Sequence, residues 1–456
     1  MNDYILRLPD ELLDSIISTA CSLISEYASP TYAPAALCLV CRRFYHLAVP
    51  YLYNEISVDY EFDSYLIPGT AKDPDIVHSR CAQSPSLWPL CRRLVLHCED
   101  DLSFDRPSDK RQLDIFLDFT KWFTGIKSFV LTRLGKQDGV WAILRSALEN
   151  FPTLTELSLG GEYSFEMEMG QVLEALGDMH SSKIRTLALA GFSSNGGTSA
   201  SKQLQAQAGT ASFTALRLRS FMQTPQVLES LVRWPTMLES FDIQYTRGAY
   251  YSELGVYTQW DLNTLQPILA IHRTTLKFIG IGGIYIRGLA GFDVRDFPNL
   301  QELRLSEATT SPTHQNSAAN VRHIPNLLAP RLRVFHWDLN LEDQESLETL
   351  DSFAQEQEEF LRAVGNEAIK AKCPLQTLKI TYTPHDFTLN AESQYPWDRI
   401  DALDREFQPA GIRVCYNSPR MSRAQFLRNL KRMRGELMEE SGAKDFIDGL
   451  DILFDA

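Results

Sequence analysis

Leu154-Thr155-Glu156-Leu157-Ser158-Leu159 is the stretch whose reading decides the fold. Its first, fourth and sixth residues are apolar and the other three are polar. Side chains alternate along an extended strand, so Leu157 and Leu159 share one side, and Glu156 and Ser158 the other. The same register returns at Cys91, Leu94 and Leu96, at Ile126, Phe129 and Leu131, and at Ile184, Leu187 and Leu189. It continues at Leu238, Phe241 and Ile243, at Leu276, Ile279 and Ile281, and at Leu300, Leu303 and Leu305. Leu332, Phe335 and Trp337, then Leu375, Leu378 and Ile380, complete the series, and Leu218-Arg219-Ser220-Phe221 reads as a weaker copy. Copies start roughly 20 to 45 residues apart, the interval of stacked repeat architectures.

Helical patterns fall between these strands. Ile115, Phe116, Phe119, Trp122 and Phe123 form one apolar stripe. Val140, Ile143, Leu144, Ala147 and Leu148 form another that stops before Pro152. Val227 to Val232 and Phe353 to Ile369 repeat the pattern. Strand and helix alternate, so the expected fold class is α/β. A doubly wound sheet built from ordinary βαβ units would also place apolar strands between helices. The recurring register favours a stack, in which each copy buries its apolar face against the next. This register resembles that of leucine-rich repeats, although the Asn that usually follows the sixth place is absent from nearly every copy. The resemblance implies a concave parallel sheet with helices on the convex side. Its outward third and fifth places would then meet a protein substrate, at Arg93, Ser128, Glu156, Ser158, Asp242, Phe278, Glu302, Arg304, His336 and Lys379.

Ahead of the repeats lies a different pattern. Pro9 sits near a helix start, where its missing N–H costs nothing. Asp10 and Glu11 place negative charge at the positive end of the helix dipole. Leu12, Leu13, Ile16 and Ile17 recur at helical spacing as one apolar stripe. A second helix is expected from about Ala35 to Leu47, begun by Pro34 and ended by Pro50, with Leu37, Val40, Cys41 and Phe44 on one face. Leu8-Pro9-Asp10-Glu11-Leu12-Leu13 with Val40-Cys41-Arg42-Arg43-Phe44, followed by Tyr51 to Ile56, resembles the F-box, which docks on the Skp-type adaptor of cullin–RING ubiquitin ligases. The segment from Cys21 to Pro34 is longer than usual and carries two prolines, Pro30 and Pro34. The resemblance implies that Leu8, Pro9, Leu12, Leu13 and Ile16 meet the adaptor, while Val40, Cys41 and Phe44 pack the module and border the interface.

Little else in the chain points to chemistry. The net charge of -14 favours neither nucleic acid nor an anionic membrane. No apolar run approaches a bilayer span, and no basic segment leads into an apolar one near the start. The eight cysteines lack a framework spacing, which suits a reducing compartment, cytosol or nucleus. Cys38 and Cys41 have no second Cys pair to complete a zinc site, and read as buried thiols. Gly280 to Gly288 lacks the spacing of a nucleotide loop and reads as a turn. The stretches 191–214 and 306–330 read as loops. The segment 422–456 reads as a basic helix followed by an acidic one, capping the last repeat.

The expected organisation is a helical module over 1–58, a repeat domain over 59–421 and a helical cap over 422–456. No catalytic residue, metal or cofactor is expected. The resemblances together imply a substrate receptor of a Skp–cullin–F-box ligase, with the adaptor, through it a cullin, and an unidentified protein substrate as partners. The alternative is a repeat scaffold with no ubiquitin-ligase role.

Overall fold

A computed structural model describes residues 8–25, 32–59, 74–98, 107–132, 138–160, 169–176, 183–191, 197–219, 221, 224–244, 260–283, 289–306, 321–339, 353, 355–381, 395–416 and 422–433. The chain divides into two compact units, Met1–Gln259 and Trp260–Ala456. Each is α/β, with every paired strand parallel to its neighbour.

The first unit opens with three helices, α1 (Asp10–Ser25), α2 (Tyr32–Cys38) and α3 (Arg42–Leu52). Seven strands follow: β1 (Glu55–Asp59), β2 (Arg93–His97), β3 (Ser128–Thr132), β4 (Glu156–Gly160), β5 (Thr186–Ala190), β6 (Ala215–Arg219) and β7 (Ser240–Gln244). They pair in chain order. The connections carry α4 (Pro74–Gln83), α5 (Pro107–Trp122), α6 (Asp138–Asn150), α7 (Met169–Leu176), α8 (Gly197–Ala206) and α9 (Pro225–Arg233), each packed on the next. The second unit holds β8 (Phe278–Gly282), β9 (Glu302–Ser306), β10 (Val334–Asp338), β11 (Thr377–Thr381) and β12 (Arg413–Tyr416), again paired in chain order. Its helices are α10 (Leu262–Leu269), α11 (Gln355–Lys370), α12 (Pro396–Phe407) and α13 (Arg423–Met433).

One backbone arrangement repeats from copy to copy. Among the described residues, the carbonyl of most second motif residues accepts two successive amides of the following copy, and that of Gln376 accepts one, from Arg413. Arg92 O takes the amides of Lys127 and Ser128, Lys127 O those of Thr155 and Glu156, and Thr155 O those of Arg185 and Thr186. Lys277, Gln301 and Arg333 act the same way in the second unit. The first, fourth and sixth residues of the copies quoted above are buried throughout both units. Each such side chain contributes about 1.5–3 kcal/mol when fully withdrawn from water, so three per copy supply much of the stacking free energy. Trp260, Trp337 and Trp397 also lie in the core.

Several details depart from expectation. The copy read at Leu218 is out of register. Thr214 and Ala215 donate to Arg185 O, so the copy begins at Phe213 and continues through Leu216 and Leu218, all buried. Leu218 and Phe221 mimic the first and fourth places, which misplaces the strand by five residues. Strands β1 and β12 have no anticipated copy, although Asn54 O takes the amides of Arg92 and Arg93 as any second residue would. The stretch 191–214 is not simply a loop: it contains α8, anchored by fully buried Leu204 between α7 and α9. In 306–330, the turn of 3-10 helix Ile324–Leu327 tucks Ile324 and Leu327 into the core; residues 307–320 lie outside the described residues. The basic C-terminal helix is α13. Its Phe426 packs edge-on to Tyr395, and the acidic helix expected beyond 433 lies outside the described residues.

Gly365 tests how closely the helices pack. A Cβ there would come 2.4 Å from Cζ of Phe407, a buried ring on α12. Alanine favours a helix over glycine by about 1 kcal/mol, whereas forcing an atom into a filled core costs about 1–3 kcal/mol. Gly365→Ala is therefore expected to lower the urea midpoint of unfolding. An unchanged or raised midpoint would mean that the α11–α12 contact is looser than described.

Candidate protein-binding surfaces

The helical module has its own small core. Leu13, Ile17, Phe44 and Ala48 are buried together, with Leu8, Leu37, Cys41, Leu47 and Tyr51 packed around them. Arg43 ties the entry segment to this core: its Nη2 donates to the Leu8 carbonyl at 2.5 Å and its Nε to Asp10 Oδ1 at 2.7 Å. The Tyr51 hydroxyl donates to Asp14 Oδ1 at 3.0 Å, tying α3 to α1 a second time. Where one helix is expected over 35–47 there are two. Leu39 and Val40 form a turn closed onto Ala36 and Leu37, and Cys41 is extended before α3 starts. Pro50 lies inside the last turn of α3 and does not end it. Cys38 therefore ends α2 and Cys41 precedes α3, rather than both lying on one helix.

The single apolar stripe expected on α1 divides in two. Leu13 has no accessible surface, whereas Leu12 is 53% exposed and Ile16 51%. Neighbouring residues differ by about 100° around a helix, so packing on α2 and α3 covers the Leu13–Ile17 arc and leaves the Leu12–Ile16 arc open. Val40 is also exposed, and Leu39, which sequence reading missed, is 87% exposed. Pro9 is exposed, Leu8 and Cys41 are half-buried and Phe44 is buried. Leu13 and Phe44 therefore support this surface from beneath and are not available to a partner.

On the open face of the first sheet, Arg93 Nε lies 3.2 Å from Glu55 Oε2, and its Nη1 is 3.5 Å from Ser128 Oγ. Glu156 and Ser158 on β4 and Asp242 on β7 are half-buried on the same face. Arg217 and Arg219 of β6 also belong to it, and are hidden in the sequence by the register error described above.

In the second unit the Arg304 guanidinium lies 5.7 Å above the Phe278 ring, and Lys379 is exposed on β11. His336, between them on β10, is only 6% exposed and shares a 2.6 Å hydrogen bond between Nε2 and Thr381 Oγ1. The expected contact residue thus keeps its outward place but is covered, its ring bonded along the open face to β11. Burial first, then the positive charges of Lys379 and Arg304, bring its imidazole down to about 3. The Glu302 carboxylate, 4.0 Å from Nδ1, is too distant to hydrogen-bond.

All eight cysteines are free. Burial, reinforced by nearby Cys81, pushes the Cys91 thiol up to about 12, which leaves almost no thiolate at neutral pH. Among the described residues no group of three His, Cys, Asp or Glu side chains is placed to hold a metal, and no helix is long and apolar enough to cross a membrane. Comparison with known proteins finds neither a family model nor a curated protein that matches the chain.

The buried imidazole has a consequence for acid stability. Between its folded value of about 3 and the unfolded value of 6.5, only the unfolded chain takes up this proton. His336 thus favours folding fully above that window, and the advantage is lost as pH falls through it. In His336→Gln the loss of stability between about pH 7 and about pH 5 should be smaller than in the parent chain. Urea titrations at both pH values measure the difference, and equal losses would show that the imidazole titrates normally.

Proposed function

We propose that this chain is an adaptor subunit of a Skp–cullin–F-box ubiquitin ligase. It would bind the Skp-type adaptor through its N-terminal helices and a protein substrate through the open faces of its repeat-like sheets. The observation that carries this reading is the open Leu12–Ile16 arc of α1, accompanied by exposed Leu39 and Val40 and backed by a module core that is already closed. Apolar side chains left in water over a satisfied core suit a helix-in-groove interface, with Pro9 extending the apolar face and the charged residues of α1 as a polar rim. The F-box-like residue pattern supplies the identity of the partner.

On this reading the chain supplies no acid, base or nucleophile. It would bring a substrate close to a charged conjugating enzyme held elsewhere in the assembly, so that rate comes from proximity. The strands described in either unit, with side chains projecting at alternate positions, would give a substrate its contacts.

Capture of the chain by purified Skp-type adaptor tests the reading. Leu12→Asp combined with Ile16→Asp should abolish capture and leave the circular dichroism spectrum and melting temperature nearly unchanged, because both side chains already face solvent. Leu13→Asp should instead destabilise the module, since it buries an unpaired charge. Cullin should co-purify through the adaptor with the parent chain only. Full capture of the double variant would rule out this surface.

A further inference from the structure

The open face of β6 differs from its neighbours. Among β2 to β7 it is the only strand with side chains that are exposed rather than half-buried or buried, and both belong to arginines, Arg217 and Arg219. Neither guanidinium has an ion-pair or side-chain hydrogen-bond partner among the described residues. Arg93, on the same face, is by contrast held by Glu55.

The strands beside β6 leave room around these two groups. Ala188 and Ala190 of β5 stand opposite Arg217 and Arg219, and beyond them lie Ser158 and Gly160 of β4. The floor is low, and a Cβ on Gly160 would press within 2.9 Å of that of Ala190. On the other side are Asp242, opposite Arg217, and Gln244, opposite Arg219. Glu156 on β4 is the other acid of this part of the sheet. Two cations thus border a shallow trough of small side chains, in a chain whose net charge is -14. An acidic ligand is repelled by most of this protein; here the exposed guanidinium groups meet it ahead of the half-buried carboxylates of Asp242 and Glu156.

The spacing narrows the class of ligand. Residues two apart on a strand repeat every 6.6 Å or so, roughly the same in Arg217 and Arg219 as in any extended peptide lying along them. A guanidinium fork matches one carboxylate bidentately. Two such forks at this repeat suit two carboxylates at alternate positions better than one phosphate, on which both side chains would have to converge.

We propose that the β4–β6 face binds an extended acidic protein segment, Arg217 and Arg219 each holding one of two alternate Asp or Glu side chains. This deepens the proposed function by naming the recognition chemistry of the substrate, and it rests on that reading only for the word substrate.

Fluorescence anisotropy with the full chain tests the proposal. The probes are a labelled peptide carrying Glu-Ser-Glu between neutral residues, its Gln-Ser-Gln counterpart, and a counterpart with one phosphoserine and no Glu. The diacid peptide should bind, and more weakly as salt is raised. Replacing Glu by Gln in the peptide, or Arg217→Ala with Arg219→Ala in the protein, should each reduce affinity about tenfold or more. The control pair Lys127→Ala and Arg145→Ala, which removes the same charge from other exposed positions, should leave binding unchanged. Equal affinity of parent and arginine variant for the diacid peptide overturns the proposal, as does tighter binding of the phosphoserine peptide. Adaptor capture is measured on the same samples. If capture fails while the diacid peptide still depends on Arg217 and Arg219, the ligase reading falls and the acidic-segment site stands.

Discussion

A shared carbonyl governs this architecture. In most copies the second motif residue offers its oxygen to two amides of the following copy, which fixes the strands in register before any side chain is considered. With the register set, the apolar residues at the fourth and sixth places fall on one side of the sheet, and the first joins them in the core. A single copy could satisfy neither its carbonyls nor its apolar face alone. The repeats are therefore held together by neighbour-to-neighbour terms, as expected for a stack, and the open face is left free to vary.

That freedom shows in how charges are treated. Where the face carries Arg93, the neighbouring strands supply Glu55 and Ser128, and the group is largely satisfied. Arg362 and Arg399, away from the sheet, converge on Glu358, whose carboxyl is held below its ordinary range by these hydrogen bonds despite the opposing effect of burial. Arg217 and Arg219 have no such partner among the described residues. Solvation makes an exposed guanidinium cheap to leave unpaired, so its presence is not itself a strain. What distinguishes the β6 pair is placement beside alanines and a glycine, where an incoming chain meets little steric resistance.

The helical module obeys a different constraint. Three short helices can cover only part of each other's circumference. The arc of α1 that reaches α2 and α3 is closed by Leu13 and Ile17, and Arg43 holds the chain entering it. The adjacent arc, one residue round, is left uncovered by the described residues of the module. Exposure of Leu12 and Ile16 follows from that geometry as much as from their identity.

Much of this was legible from residue order. The apolar triplets mark ten of the twelve strands once Phe213 is put in place of Leu218, because a period set by the strand itself survives in the sequence. The α/β class and the stripes of α5, α6, α9 and α11 were readable for the same local reason. Other features depend on what lies opposite. Helical spacing places Leu12 and Leu13 in one stripe, and only packing against α2 and α3 separates them. His336 occupies an outward place by alternation, yet it is almost inaccessible and bonded to Thr381, 45 residues further along. The true position of β6, and with it the paired arginines, emerges only when Arg185 O is seen to accept Thr214 and Ala215. Periodicity is a property of one segment and can be read from it; burial and register are properties of two segments in contact, and they exist only after the chain has folded.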